Sequence, residues 1–288
     1  MSETESIRIS DVLRQALPVW PLLWALAVLL VPTLITLGDQ IWATELGAHG
    51  PIVLVTGLWL LSKQRESFQT LRSPPSWPLV ILGMLLFLPI YIFGRAFDLI
   101  SVEALGAYGA AMTIVYREYG MRAIGANLFP FAYMGYLIPP PGWAINTITS
   151  PLRAFVSYTA THGLHYLGYP VANEGVAITI AQYQLLVEDA CSGMNSIVGL
   201  SAITLFYVYV LHRGSWRYSL LLTALIIPLA VFINILRVVA LILLTYYAGD
   251  GIAQGFLHGT TGIVLFGLGL MLMLVLDHTL RLILKRQG

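Results

Sequence analysis

The chain has 288 residues, of which 58% are hydrophobic and only 10% charged, a balance that excludes a soluble domain and points to a polytopic membrane protein. Its single cysteine excludes an internal disulfide and any multi-cysteine metal site. The net charge of +1 says little about partners, and no nucleic-acid partner is expected; the placing of the charges says more.

A helix needs about 20 mostly apolar residues to cross a bilayer. Residues 19–37 are the first such run, punctuated by Pro21 and Pro32, and follow a mixed-charge start that reads as a retained helix rather than a cleavable leader. A second helix is expected at 51–62, stopped by Lys63, Arg65 and Arg72, and a third at 77–93 after Pro74-Pro75. Arg95, Asp98 and Glu103 mark a short polar turn. A fourth helix is expected at 104–116 and a fifth at 123–138, separated by Arg117, Glu118 and Arg122.

From 142 to 190 the pattern changes. Residues 143–169 are amphipathic, with Asn146, Arg153, His162 and His165 among aromatics, which suits a helix lying in the membrane interface. Residues 176–187 alternate β-branched and polar side chains and predict a short strand or hairpin outside the bilayer. The sixth helix follows Cys191 and ends near Leu211. The seventh is expected at 219–247, bent at Pro228, and the eighth at 260–280. The fold class is therefore all-α, a single membrane domain (1–288) of about eight spans.

Basic residues orient it. With the N-terminus inside, twelve of the fifteen fall on the inner side, leaving only Arg95, Arg153 and the intrahelical Arg237. Both termini are then cytoplasmic, and Cys191 faces outward.

Three residues on consecutive helices reach that outer half. Asp189 is a good N-cap, so Cys191 is expected in the first helical turn, where exposed N–H groups favour thiolate. Glu188 and Asp189 oppose this by raising a thiol pKa, so a working nucleophile would need a nearby cation. Asn234 and Arg237, three apart, share one helix face, with Arg237 roughly 15 Å from the outer helix end. His258 opens the eighth helix. Each has a plain structural reading: a packed thiol, a snorkelling arginine, a solvated histidine. Together they form a coherent chemical set, in which a thiolate attacks a carbonyl, an imidazole manages protons and a guanidinium holds thiolate or oxyanion.

The ordered motifs Ala190-Cys191-Ser192-Gly193, Asn234-Ile235-Leu236-Arg237 and His258-Gly259 resemble those of the exosortase/archaeosortase family of integral-membrane transpeptidases. His49-Gly50-Pro51, before a Leu/Trp-rich helix, is similar to the family's second-helix entry, and the resemblance covers about residues 50–276. It implies a cysteine peptidase/transpeptidase of the bacterial inner membrane, with its active site facing the periplasm or outside. Its implied substrates are secreted proteins whose C-terminal sorting signal joins a Pro-Glu-Pro-like motif, a transmembrane helix and a basic tail. Cys191 would be the nucleophile that forms a thioester, Arg237 the thiolate or oxyanion stabiliser and His258 the acid/base, supported by Asn234, Glu188, Asp189 and Ser192. Met194-Asn195-Ser196 is more polar than the family pattern at that place. No metal or cofactor is expected, and the partners are the signal-bearing substrates and the lipid bilayer.

Other residues carry two readings each. Glu174 serves a turn or binds the signal's polar motif. Arg95 and Arg153 receive an acidic residue of that motif or contact lipid headgroups. His162 and His165 lack a third ligand nearby and read as interfacial structure rather than a metal site. The competing functions are a transporter subunit, which would show repeated halves and charges along a path, and a non-catalytic scaffold in envelope or polysaccharide export.

Overall fold

Hydrophobic runs and their proline and glycine punctuation set the element boundaries. The computed structural model describes residues 20–44, 47–174, 177–186, 193–211, 216–249, 251, 253 and 261–285. In chain order these form α1 (Trp20–Leu37), α2 (Gly50–Lys63), α3 (Arg65–Thr70), α4 (Trp77–Ala96), α5 (Ile100–Ala126), α6 (Leu128–Met134) and α7 (Gly142–Tyr166). Then come β1 (Val171–Glu174), β2 (Ala177–Ile180) and β3 (Tyr183–Leu186), followed by α8 (Gly193–Leu211), α9 (Trp216–Ala248) and α10 (Thr261–Lys285). Among the described residues, three segments are long and apolar enough to cross a membrane: Trp24–Trp42, Trp77–Ala96 and Tyr218–Ala248.

The chain divides into two compact units, residues 1–41 with 57–139, and residues 42–56 with 140–288. In the first unit, α4 and α5 form a close hairpin with α1 against α5. Small residues permit the approach: a Cβ on Gly94 or Gly106 would lie 2.2–2.3 Å from the backbone of the facing helix. The expected polar turn is shorter than its charges suggested. Arg95 and Glu103 sit inside the flanking helices and pair across the turn, Nη1 donating to Oε1 at 2.9 Å. Thr33 of α1 donates to the same buried carboxylate oxygen at 2.8 Å, and Arg95 Nη1 also reaches Thr36 Oγ1 at 3.1 Å. A carboxylate within an apolar hairpin is thus neutralised and satisfied by two neighbouring helices.

The division between the expected fourth and fifth helices appears as a kink within α5 at Gly120, whose φ of 77° and ψ of 174° suit glycine alone. The linker before α4 docks there: Ser73 N–H donates to Tyr119 O at 3.0 Å, and Arg72 Nε to Glu118 O at 2.8 Å. The fifth helix itself is broken. Helix α5 ends at Ala126, Asn127 turns its side chain back onto Ala123 O at 2.8 Å and Ser67 Oγ at 3.0 Å, and the short α6 follows. An asparagine that bonds nearby backbone competes with helix continuation, which an apolar count does not register.

In the second unit, α7 is amphipathic as expected. Val156, Ser157, Ala160, Thr161 and Leu164 are buried, while Trp143, Ile148, Phe155, Tyr158 and Tyr166 are exposed. The expected hairpin is β2–β3, antiparallel with Ile178 opposite Leu185, and β1 adds a third antiparallel strand with Val171 opposite Ile180. Alternation places Ile178 and Ile180 on the inner face. There they join Val156, Ala160 and Leu164 of α7 and Val238 and Ile242 of α9 in one apolar cluster. Helices α8, α9 and α10 pack pairwise against one another, and α9 continues through Pro228.

Candidate functional site

Helix α9 organises the second unit because it is buried along most of one side. Val238 and Ile242 face α7 and the sheet, while Ala230 and Ile233 pack on Leu272 of α10. By helical spacing Arg237, only 2% exposed, falls on the same arc as Ala230 and Ile233, and Asn234, one turn earlier and 3% exposed, falls between that arc and the one of Val238 and Ile242. A guanidinium so deep in an apolar bundle is costly unless it is paired or lines a cavity, and intramembrane charges of this kind are often functional.

The register between helices shows what lies level with it. Val208 of α8, Leu222 of α9 and Met273 of α10 meet in one buried cluster. From that shared contact, α8 runs back about fifteen residues to Gly193 and α9 runs on about fifteen to Arg237, roughly 22 Å in each case. Arg237 therefore lies towards the end of the bundle at which α8 begins. For α10, Leu272 packs beside Ala230 and Ile233, and Thr261 lies about eleven residues, or roughly 16 Å, nearer its start. The same climb along α9 ends near Ile242, just beyond Arg237. One end of the bundle thus gathers the starts of α8 and α10, the final turns of α9 and the meander sheet.

Cys191, Ser192, Glu188, Asp189 and His258 lie outside the described residues, as does the expected N-cap at Asp189. In sequence, Cys191 comes two residues before the first of α8, and His258 three before the first of α10. Of the expected site residues, Asn234 and Arg237 share one face. Arg153 sits on α7, its Nη2 donating to Thr149 Oγ1 at 2.8 Å and Asn146 Oδ1 at 3.2 Å. Glu174 is the exposed last residue of β1. Arg95 belongs to the other unit and is engaged by Glu103. His162 stacks on Tyr158, ring centroids 3.8 Å apart, with Nδ1 3.1 Å from Tyr158 O.

Two features escaped sequence reasoning. Asn173 of β1 donates from Nδ2 to the buried Ser157 Oγ of α7 at 2.9 Å, fixing the sheet on that helix. At the bundle end away from Arg237, the buried Asp277 of α10 accepts Tyr207 OH of α8 at 2.6 Å and Tyr218 OH of α9 at 2.5 Å. Arg281, one turn on, pairs with the same carboxylate at 3.1 Å. An aspartate four residues before an arginine in an otherwise apolar run was the available signal.

The transmembrane exosortase family model (Exosortase_EpsH) matches residues 41–275, most of the chain. No curated protein and no solved structure matches it.

Proposed function

We propose a reaction for this chain, which belongs to the transmembrane exosortase family. It is a membrane-embedded cysteine peptidase/transpeptidase that cuts a C-terminal sorting signal, consisting of a Pro-Glu-Pro-like motif, a transmembrane helix and a basic tail, from secreted proteins. One observation carries the reading. The buried Arg237 of α9 lies towards the end of the bundle at which α8 and α10 begin. The residues that lead into those two helices include the only cysteine of the chain and His258.

In this scheme the Cys191 thiolate attacks the scissile carbonyl carbon, and the carbonyl π electrons move onto oxygen. The Arg237 guanidinium, fixed by packing before substrate arrives, offers forked donors to the thiolate and then to that oxyanion. His258, as imidazolium, gives its proton to the leaving amine as the C–N bond breaks, which leaves an acyl thioester on Cys191 and a free signal helix. A water or amine acceptor, deprotonated by His258, then attacks the thioester, and the C–S bond breaks to restore the Cys191 thiolate beside the His258 imidazolium. The site faces outward by the positive-inside argument, where a secreted substrate arrives. The test is Cys191→Ala, which is expected to insert and fold yet process no substrate. Processing at the normal rate would remove the covalent mechanism.

A further inference from the structure

Asn234 presents a problem that its position one turn from Arg237 does not solve. It is only 3% exposed, and among the described residues neither Oδ1 nor Nδ2 has a hydrogen-bond partner. Thr245, eleven residues further along α9, is also buried, and it donates to Leu241 O at 2.9 Å. A carboxamide carries two donors and two acceptor sites, so an unpaired one inside an apolar bundle is a standing penalty. Packing does not require it, because leucine has the same branched heavy-atom skeleton, though bulkier, and no such penalty. A group retained unsatisfied in this way is matched to a ligand that satisfies it.

The surroundings limit what that ligand is. Asn234 is about 4.5 Å further into the bundle than Arg237, along an axis whose outer end holds the start of α8. A ligand reaching it comes past Arg237 and continues toward the apolar interior. A carboxamide offers one donor and one acceptor side by side, the complement of a main-chain amide in extended conformation. It carries no charge, so an anionic headgroup is not its match.

Resting on the reaction proposed above, we infer that Asn234 is a subsite for the substrate's main chain on the leaving-group side of the scissile bond. It pairs with the peptide unit just before the signal enters its transmembrane helix. Arg237 addresses the reacting carbonyl, and Asn234 addresses the segment that descends from it. The subsite reads backbone rather than side chains, so it is indifferent to the residues there but demands an N–H and a C=O with correct spacing.

The experiment uses the full chain in lipid nanodiscs and a synthetic peptide with a Pro-Glu-Pro motif, a 20-residue leucine-rich helix and a basic tail. The wild type is compared with Asn234→Leu and with Asn234→Ser, which keeps a small polar group but shortens its reach. Thermal midpoint without peptide, KM and kcat, and acyl adduct on Cys191 are measured for each. Asn234→Leu is expected to keep or raise the midpoint while kcat/KM falls about 10–100-fold, the loss of one or two buried hydrogen bonds. Asn234→Ser is expected to lie between. A peptide N-methylated at the second residue after the cut, which leaves the scissile amide unchanged, should lose the same factor with wild type and lose nothing further with Asn234→Leu. A midpoint lowered in both variants would make Asn234 structural and overturn the inference. So would unchanged kcat/KM, or an N-methyl penalty that persists in Asn234→Leu. If wild type forms adduct on Cys191 and the variants form it equally fast, the reaction stands and the subsite falls. If wild type forms none, both fall.

Discussion

Replacing Asp277 by alanine removes the acceptor that joins α8, α9 and α10 at the end of the bundle away from Arg237. The carboxylate is 3% exposed and receives two tyrosine hydroxyls at 2.6 and 2.5 Å, one from each neighbouring helix. A hydrogen bond to a charged acceptor is worth about 1.5–3 kcal/mol in soluble proteins, while interhelical side-chain bonds in membranes average about 0.6 and reach about 1.7 kcal/mol. Taking about 1–1.5 kcal/mol for each hydroxyl gives a cost of about 2–3 kcal/mol. The pair with Arg281 adds nothing to that figure, since its side chain is 46% exposed and can turn to solvent. Equilibrium unfolding in a single detergent should show this loss for Asp277→Ala and about half of it for Tyr218→Phe. The double variant should cost less than the two singles together, because both remove the same bond. An Asp277→Ala loss under about 0.5 kcal/mol, or fully additive effects, would refute the idea that this cluster clamps the three helices.

Arg237→Lys should lower turnover about 100–1000-fold while leaving the protein folded, because lysine keeps charge but not the planar fork; near wild-type turnover would reduce Arg237 to a packed charge. Gly120→Ala should destabilise the first unit by about 1–3 kcal/mol, since φ is 77° and a Cβ would lie 2.2–2.3 Å from Ser73, and an unchanged unfolding transition would contradict that. The described residues between 142 and 186, an amphipathic helix and a three-stranded meander packed beside α9, would offer an extended edge to an incoming peptide if the 142–190 segment reads the signal. Exchanging this segment with a homologue's should transfer signal preference, and a folded chimera that keeps its original preference would place recognition in the membrane helices.

Long apolar runs were the most readable part of the chain. The expected third helix at 77–93 is α4, the seventh at 219–247 is α9, and both proved slightly longer than expected because helical geometry carries the flanking polar residues along. Where a polar residue acts locally, run-counting failed. Asn127 ends α5 by bonding Ala123 O, so the expected fifth helix is two shorter pieces. Strand β1 was missed because Val-Ala-Asn-Glu has too little alternation to announce a strand; it exists by pairing with β2, a tertiary effect. At the candidate site, the depth and shared face of Asn234 and Arg237 followed from spacing alone, and the structure adds that both are buried. Pairings across helices were not legible, since nothing in a linear pattern says that Glu103 meets Thr33 or that Asp277 meets Tyr207.

The central claim is a covalent acyl intermediate on the one thiol of this chain. Purified protein mixed with the synthetic signal peptide, quenched in acid and analysed by intact mass should gain the mass of the peptide's N-terminal fragment on Cys191. That adduct should be released by hydroxylamine, as a thioester is, and be missing from Cys191→Ala. Cleavage of the peptide with no hydroxylamine-sensitive mass on Cys191, or the same adduct in Cys191→Ala, would contradict the account.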